Sequence, residues 1–94
     1  MDANEVLRRY ATGERNFRQQ DWRGLSLVKA NLSGIDLTGA NLNNSDLSNS
    51  DLSNANLNWV NLKGANLSGA NLTGVKMPNG YMHNDLIESA NYFG

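Results

Sequence analysis

Leucine recurs at every fifth position between Asn31 and Thr73, and this spacing constrains the fold more than any other feature of the chain. A period of five matches neither the 3.6-residue face of an α-helix nor the two-residue alternation of a β-strand. No single regular element can keep all these leucines on one side, so a turn has to follow each five-residue unit. The pattern predicts a coil of short extended segments joined by corners.

Residue types also recur around each leucine. The residue before it is Asn or Asp, the residue two before it is small or β-branched, and the residue two after it is Gly or Asn, except at Trp59. Side chains two apart share a face of an extended chain, so the leucine and the small residue should point inward and the Asn or Asp outward. Gly and Asn adopt positive φ at low cost, which suits a corner.

The repeated unit resembles the motif of the pentapeptide repeat family, A(D/N)LXX. Residues 30–34 and 65–69 read Ala-Asn-Leu-Ser-Gly, and residues 70–74 read Ala-Asn-Leu-Thr-Gly. The resemblance covers residues 15–77 and implies an all-β solenoid, a right-handed quadrilateral β-helix with four pentads per coil. The predicted structural core comprises Phe17, Trp22, Leu27, Leu32, Leu37, Leu42, Leu47, Leu52, Leu57, Leu62, Leu67, Leu72 and Met77.

The N-terminal segment has a different period, within a chain whose 94 residues suggest a single domain over 1–94. Residues 2–12 are predicted to form a short α-helix, with Asp2 and Glu5 spaced as a capping box and Gly13 ending it. We expect this helix to cap the first coil, whose apolar end and backbone edge would otherwise be open. The apolar residues at helical spacing are Ala3, Val6, Leu7 and Tyr10.

The C-terminal segment departs from the repeat after Met77. Pro78, Asn79 and Gly80 have the composition of a turn. Residues 78–94 are therefore predicted to form a C-terminal lid of turn and helix. A fourth, irregular coil over residues 77–94 is the alternative.

Few residues are suited to catalysis or metal binding. The chain has no cysteine, and His83 is its only histidine, so thiolate and paired-histidine metal sites are not expected. Asp36, Asp46 and Asp51 occupy outward repeat positions and are predicted to be solvated, with ordinary pKa values. We expect no enzyme activity, no catalytic residue, no metal and no cofactor.

Charge and hydropathy restrict the partners. The formal net charge is -1, and residues 30–75 contain one Lys and three Asp, which is too little positive charge to favour nucleic acid. No apolar run reaches membrane-spanning length, and the N-terminus lacks the apolar core of a signal peptide. The sequence therefore predicts a cytoplasmic monomer that binds neither nucleic acid nor membrane.

Trp59 is the one residue that departs from its repeat position, because it stands at a corner. Exposed tryptophans are enriched in binding sites, so Trp59 is predicted to contact an unknown protein partner. The function expected is that of a non-catalytic scaffold or protein-interaction module. The alternative, suggested by the resemblance, is a DNA-mimicking binder of DNA gyrase, although such members are longer, dimeric and strongly acidic.

Overall fold

A computed structural model describes residues 1–76 and the backbone of residues 82–83. The chain starts with one α-helix, α1 (Ala3–Ala11), and continues as short extended segments joined by turns. Two short strands follow, β1 (Val75–Lys76) and β2 (Met82–His83). They pair antiparallel, with Val75 opposite His83.

Parallel bridges connect residues that are twenty positions apart, from the pair Asn16–Asp36 to the pair Asn56–Lys76. Each bridge carries two hydrogen bonds between neighbouring coils. At Asn61, for example, the carbonyl accepts from the Leu42 N–H at 2.8 Å. Twenty residues are four pentads, so each coil has four sides. The described chain is a β-helix solenoid.

The corners follow the same period. Every fifth residue from position 19 to position 74 has positive φ, and half of these residues are glycines. Asn and Gly are not interchangeable there, because stacked corners share space. A Cβ on Gly64 would collide with the side-chain oxygen of Asn44, which leans over it from the coil before. The order of Gly and Asn along the chain therefore follows from the stacking.

The core is a set of side-chain rows along the coil axis. The predicted core residues from Phe17 to Leu72 are all buried, and Met77 lies outside the described residues. Phe17 and Trp22 fill the first coil, with their ring centres 5.7 Å apart in an edge-to-face arrangement. The twenty-residue ladder places each large side chain over the one twenty positions away.

The hydroxyls of Ser45 and Ser50, which are buried in the core, bind carbonyls of their own coil. Ser45 donates to the Leu42 carbonyl at 2.8 Å, and Ser50 donates to the Leu47 carbonyl at 2.6 Å. These carbonyls also accept the N–H groups of the same two serines. The turn thus satisfies each hydroxyl locally, since an unpaired buried hydroxyl would be destabilising.

Helix α1 begins with half of a capping box. The Asp2 carboxylate accepts from the Glu5 N–H at 2.8 Å, but the Glu5 side chain pairs with Arg9 instead of returning to Asp2. Val6 is fully buried on the core, whereas Leu7 is 40% exposed. The apolar face predicted from the spacing is therefore wrong at Leu7, because the helix contacts the coil along a narrower line.

The C-terminal half of α1 is attached to the first coil. The Tyr10 hydroxyl donates to the Ser33 carbonyl at 2.6 Å. The Arg15 guanidinium lies 3.6 Å from the centre of the Tyr10 ring and donates to the Tyr10 carbonyl. Arg9 pairs with Glu14 at 2.6 Å. These contacts fix the helix end at the point where the coil begins.

The predicted C-terminal lid over 78–94, like the alternative fourth coil, lies outside the described residues apart from β2. The antiparallel pairing of β2 with β1 differs from the parallel ladder that connects the coils.

Candidate functional site

Trp59 combines exposure with an unfavourable backbone conformation. Its side chain is 74% exposed and its φ is +62°. The left-handed conformation costs roughly 1–2 kcal/mol for a residue that is neither Gly nor Asn. Burial of the indole does not offset this cost, since most of the ring faces solvent. Gln19 and Lys29 have the same positive φ at equivalent corners, so it is the large exposed indole that makes Trp59 the leading candidate.

Replacing Trp59 is expected to stabilise the protein. Trp59→Asn should raise the free energy of unfolding by about 1 kcal/mol, because Asn tolerates positive φ and no well-buried side chain is lost. Urea denaturation followed by circular dichroism measures the change. Trp59→Ala is the matched control, since it removes the indole but keeps the unfavourable φ, and it should bring no gain. A large loss of stability in both variants would mean that the indole packs on the coil.

The surface around Trp59 is rich in amides. The two sides that meet at this corner carry Asn56, Asn58 and Asn61 in the same coil, together with the exposed Lys63. The Oδ1 atom of Asn58 is buried without a hydrogen-bond partner in the described chain. Arg18 and Asp36, which lie on one of these sides, pair with each other at 3.3 Å. The corner thus offers apolar contact, amide hydrogen bonds and the charge of Lys63 to a partner.

The outward Asn and Asp residues have a structural role that the sequence analysis missed. In eleven pentads the Oδ1 atom of this residue accepts the N–H of the residue two positions later, as in Asn41 with Asn43 at 3.0 Å. Asn and Asp both have this oxygen on a short side chain, which explains why either residue can occupy the position before the leucine. The residues concerned are Asn16, Asp21, Asn31, Asp36, Asn41, Asp46, Asp51, Asn56, Asn61, Asn66 and Asn71.

The prediction of ordinary pKa values for the repeat carboxylates was wrong. Hydrogen bonds from the Ser53 hydroxyl and N–H lower the pKa of Asp51. Burial raises the pKa of Asp36, but hydrogen bonds from Thr38 and Arg18 outweigh it, and the pKa is lowered. Hydrogen bonds from Ser48 lower the pKa of Asp46. All three residues are half-buried, and each carboxylate accepts the N–H in the turn of its own pentad.

These three carboxylates lie in three different pentads of the coil and therefore on three different sides. General acid–base chemistry needs two groups that face one substrate, and a DNA mimic needs rows of carboxylates along one face. Asp36, Asp46 and Asp51 are arranged for neither. Among the residues that the structure describes, no three His, Cys, Asp or Glu side chains come close enough to hold a metal ion.

The lowered carboxylate pKa values predict a loss of stability in acid. A carboxyl group whose pKa is lower in the folded state stabilises the fold fully above its ordinary value of about 4, and this contribution disappears as the pH falls through the folded-state pKa. Asp51→Asn should be nearly neutral at pH 7, because the amide oxygen accepts the same N–H, and it should lose less stability in acid. Urea midpoints between pH 7 and pH 2 measure this. Superimposable acid profiles for wild type and variant would contradict the assignment.

The comparisons with known proteins agree with this geometry. The family model for pentapeptide repeats matches eight copies in the chain, over residues 16–49, 30–69 and 50–84. The chain belongs to the pentapeptide repeat family. No similar sequence was found among curated proteins. Within the part of this pentapeptide repeat protein that the structure describes, no helix is long and apolar enough to cross a membrane.

Solved structures of cyanobacterial pentapeptide repeat proteins are similar to this one. Rfr23 from Cyanothece 51142 is 31% identical with a TM-score of 0.51, and the match covers 60% of this chain and 42% of Rfr23. This pentapeptide repeat protein thus matches less than half the length of Rfr23. The protein alr5209 from Nostoc PCC 7120 is 30% identical over 73% of this chain and 74% of its own, with a TM-score of 0.35.

Proposed function

We propose that this pentapeptide repeat protein is a non-catalytic scaffold that binds another protein through the surface around Trp59. The observation that carries the proposal is the exposed indole of Trp59, held at a corner with φ of +62°. The positive φ is common to all corners of the coil, so the support comes from the exposed ring, whose apolar surface the described chain leaves in contact with solvent.

The shape of the corner favours a concave partner. A tryptophan that projects from a corner can insert into an apolar pocket, where such residues often contribute most of the binding energy. The neighbouring amides of Asn58 and Asn61 would then provide a polar rim, with Lys63 as an exposed cation beside it. Binding of this kind should depend modestly on salt, since Lys63 carries a charge at this corner while Arg18 and Asp36 neutralise each other.

The remaining parts of the proposal concern the fold and its setting. We infer a right-handed coil from the family resemblance and a capping role for α1 from the burial of Val6 on the first coil. The protein is proposed to act as a cytoplasmic monomer before it meets its partner. No residue is assigned to catalysis.

An affinity capture that compares wild type with Trp59→Asn tests the proposal. Because Trp59→Asn is expected to be more stable than wild type, loss of a partner cannot be attributed to unfolding. Asn54→Gly, which changes another corner, is the matched control and should retain the partner. If Trp59→Asn still captured every partner that wild type captures, Trp59 would not belong to the binding site.

The fluorescence of Trp59 gives a second readout with the purified partner. In a Trp22→Phe background Trp59 is the only tryptophan. Its emission should shift to shorter wavelength when the ring becomes buried in a partner pocket. Unchanged emission in a complex that does form would place the contact elsewhere.

A further inference from the structure

The first coil ends in an open backbone edge, which we call the N-terminal rim. In later coils the N–H of the residue before each leucine donates to the coil below, as Asp36 does to Arg15 and Asn41 to Gln20, both at 2.9 Å. No coil precedes the first one in the described chain, so its equivalent groups face away from the ladder. Among the described residues, no acceptor bonds the equivalent N–H groups, which belong to Asn16, Asp21, Ser26 and Asn31.

Helix α1 covers the core at this end but leaves much of the rim open. Its Val6 side chain is buried on the core, and Tyr10 bonds the rim carbonyl of Ser33. The four rim residues with unbonded N–H groups are exposed, whereas their equivalents in the second coil are half-buried. The rim therefore remains accessible to another chain beside the helix.

One side of the rim borders a concavity. It has a volume of about 510 Å³ and is lined by Met1, Asp21, Arg23, Gly24, Asn43 and Asn44. The concavity is shallow and open to solvent. The rim segment along it, residues 21–24, presents the Asp21 N–H and the carbonyls of Asp21 and Arg23.

The three equivalent groups in the second coil already have hydrogen-bond partners in the first coil. There the Asn41 N–H donates to Gln20, the Asn41 carbonyl accepts from Trp22, and the Asn43 carbonyl accepts from Gly24. An extended strand that runs parallel beneath residues 21–24 would meet the same donors and acceptors at the same spacing. A strand bound at the rim would thus repeat the hydrogen bonds that the first coil makes to the second.

We propose that residues 21–24 of the N-terminal rim bind an extended segment of a partner polypeptide as an added parallel strand. Backbone hydrogen bonds give affinity in such β-augmentation. The Asp21 and Arg23 side chains bind each other in a bidentate pair at 2.9 and 2.8 Å, so the site favours an uncharged segment. Nothing lies within 4 Å of a Cβ built on Gly24, which leaves room for a side chain of the guest. This site is separate from Trp59, which lies in the third coil.

The probe is an acetylated, amidated peptide with the sequence of residues 65–74, which contains two pentads that match the motif. Added to the full ¹⁵N-labelled protein, it should shift the amide resonances of Asp21, Arg23 and Gly24 and slow solvent exchange of the Asp21 N–H by about tenfold or more at saturation. The same peptide with alternate amides N-methylated should cause neither effect, because it cannot donate those bonds.

Three outcomes would overturn the proposal. They are an absence of shifts at millimolar peptide, shifts centred on Trp59, and a peptide-independent dimer that protects the rim. Asp21→Pro removes the rim donor, which an edge position tolerates, and should weaken peptide binding about tenfold or more relative to Asp21→Ala, which loses the same carboxylate but keeps the N–H. Far-UV circular dichroism checks that this variant is folded. If it is not, the N-methylated peptide decides the question alone.

Discussion

Leu42→Ala is expected to lower the free energy of unfolding by about 2–5 kcal/mol. Leu42 is fully buried in a row between Trp22 and Leu62. The backbone on both sides is held by the ladder, with the Leu42 N–H bonded to Asn61 at 2.8 Å. The cavity left by the substitution therefore cannot collapse easily, and we expect a loss in the upper half of the range. Small domains have about 5–15 kcal/mol in total, so the effect is large.

Asn43→Ala is the matched control for Leu42→Ala. Asn43 is the next residue along the chain, points outward, and has a buried Oδ1 without a hydrogen-bond partner in the described chain. Its truncation should change the free energy of unfolding by no more than about 0.5 kcal/mol. Urea denaturation followed by circular dichroism compares the two variants. Equal losses would contradict the inward and outward assignment of the pentad.

Deletion of residues 1–12 is expected to cause association. Without α1, the buried Val6 no longer covers the first coil, so the Phe17 and Trp22 layer is exposed together with the whole N-terminal rim. Apolar surface beside an open strand edge pairs with other chains. Size-exclusion chromatography with light scattering should show dimers or larger species. In a Trp59→Asn background, where Trp22 is the only tryptophan, the emission should move to longer wavelength.

Leu7→Ser is the control for the deletion. Leu7 is on the same helix but 40% exposed, so its replacement should leave the protein monomeric and α1 in place. A truncated protein that stays monomeric, with an unchanged unfolding midpoint, would show that α1 is not a cap.

Part of the fold could be predicted because a period of five allows few arrangements. The positions of Leu42 and Asn41 in the pentad were enough to predict which points inward. The number of pentads per coil did not follow from spacing, since any number of corners keeps the leucines inside, and it was implied by the family resemblance. The order of Asn and Gly at stacked corners, such as Asn44 and Gly64, depends on that number and becomes clear only in three dimensions.

The candidate sites, like the fold, could be predicted from the sequence only in part. Trp59 could be singled out because it interrupts a repeat, although its surroundings come from residues whose proximity depends on the coil. The concavity at the N-terminal rim joins Met1 to Asn43 and Asn44, which are far apart in sequence. Leu7 was assigned to the buried face because helical spacing does not show how wide a contact the neighbouring coil offers.

The twenty-residue ladder is the central claim, and engineered cysteines test it directly because the natural chain has none. Ser48 and Ser68 occupy equivalent positions in neighbouring coils, which are about 4.8 Å apart and within disulfide reach. Under mild oxidation, the variant with Ser48→Cys and Ser68→Cys should form an intramolecular disulfide. The variant with Ser48→Cys and Thr73→Cys, twenty-five residues apart and on adjacent sides of the coil, should not. Cross-linking of the second pair in preference to the first would contradict a coil of four pentads.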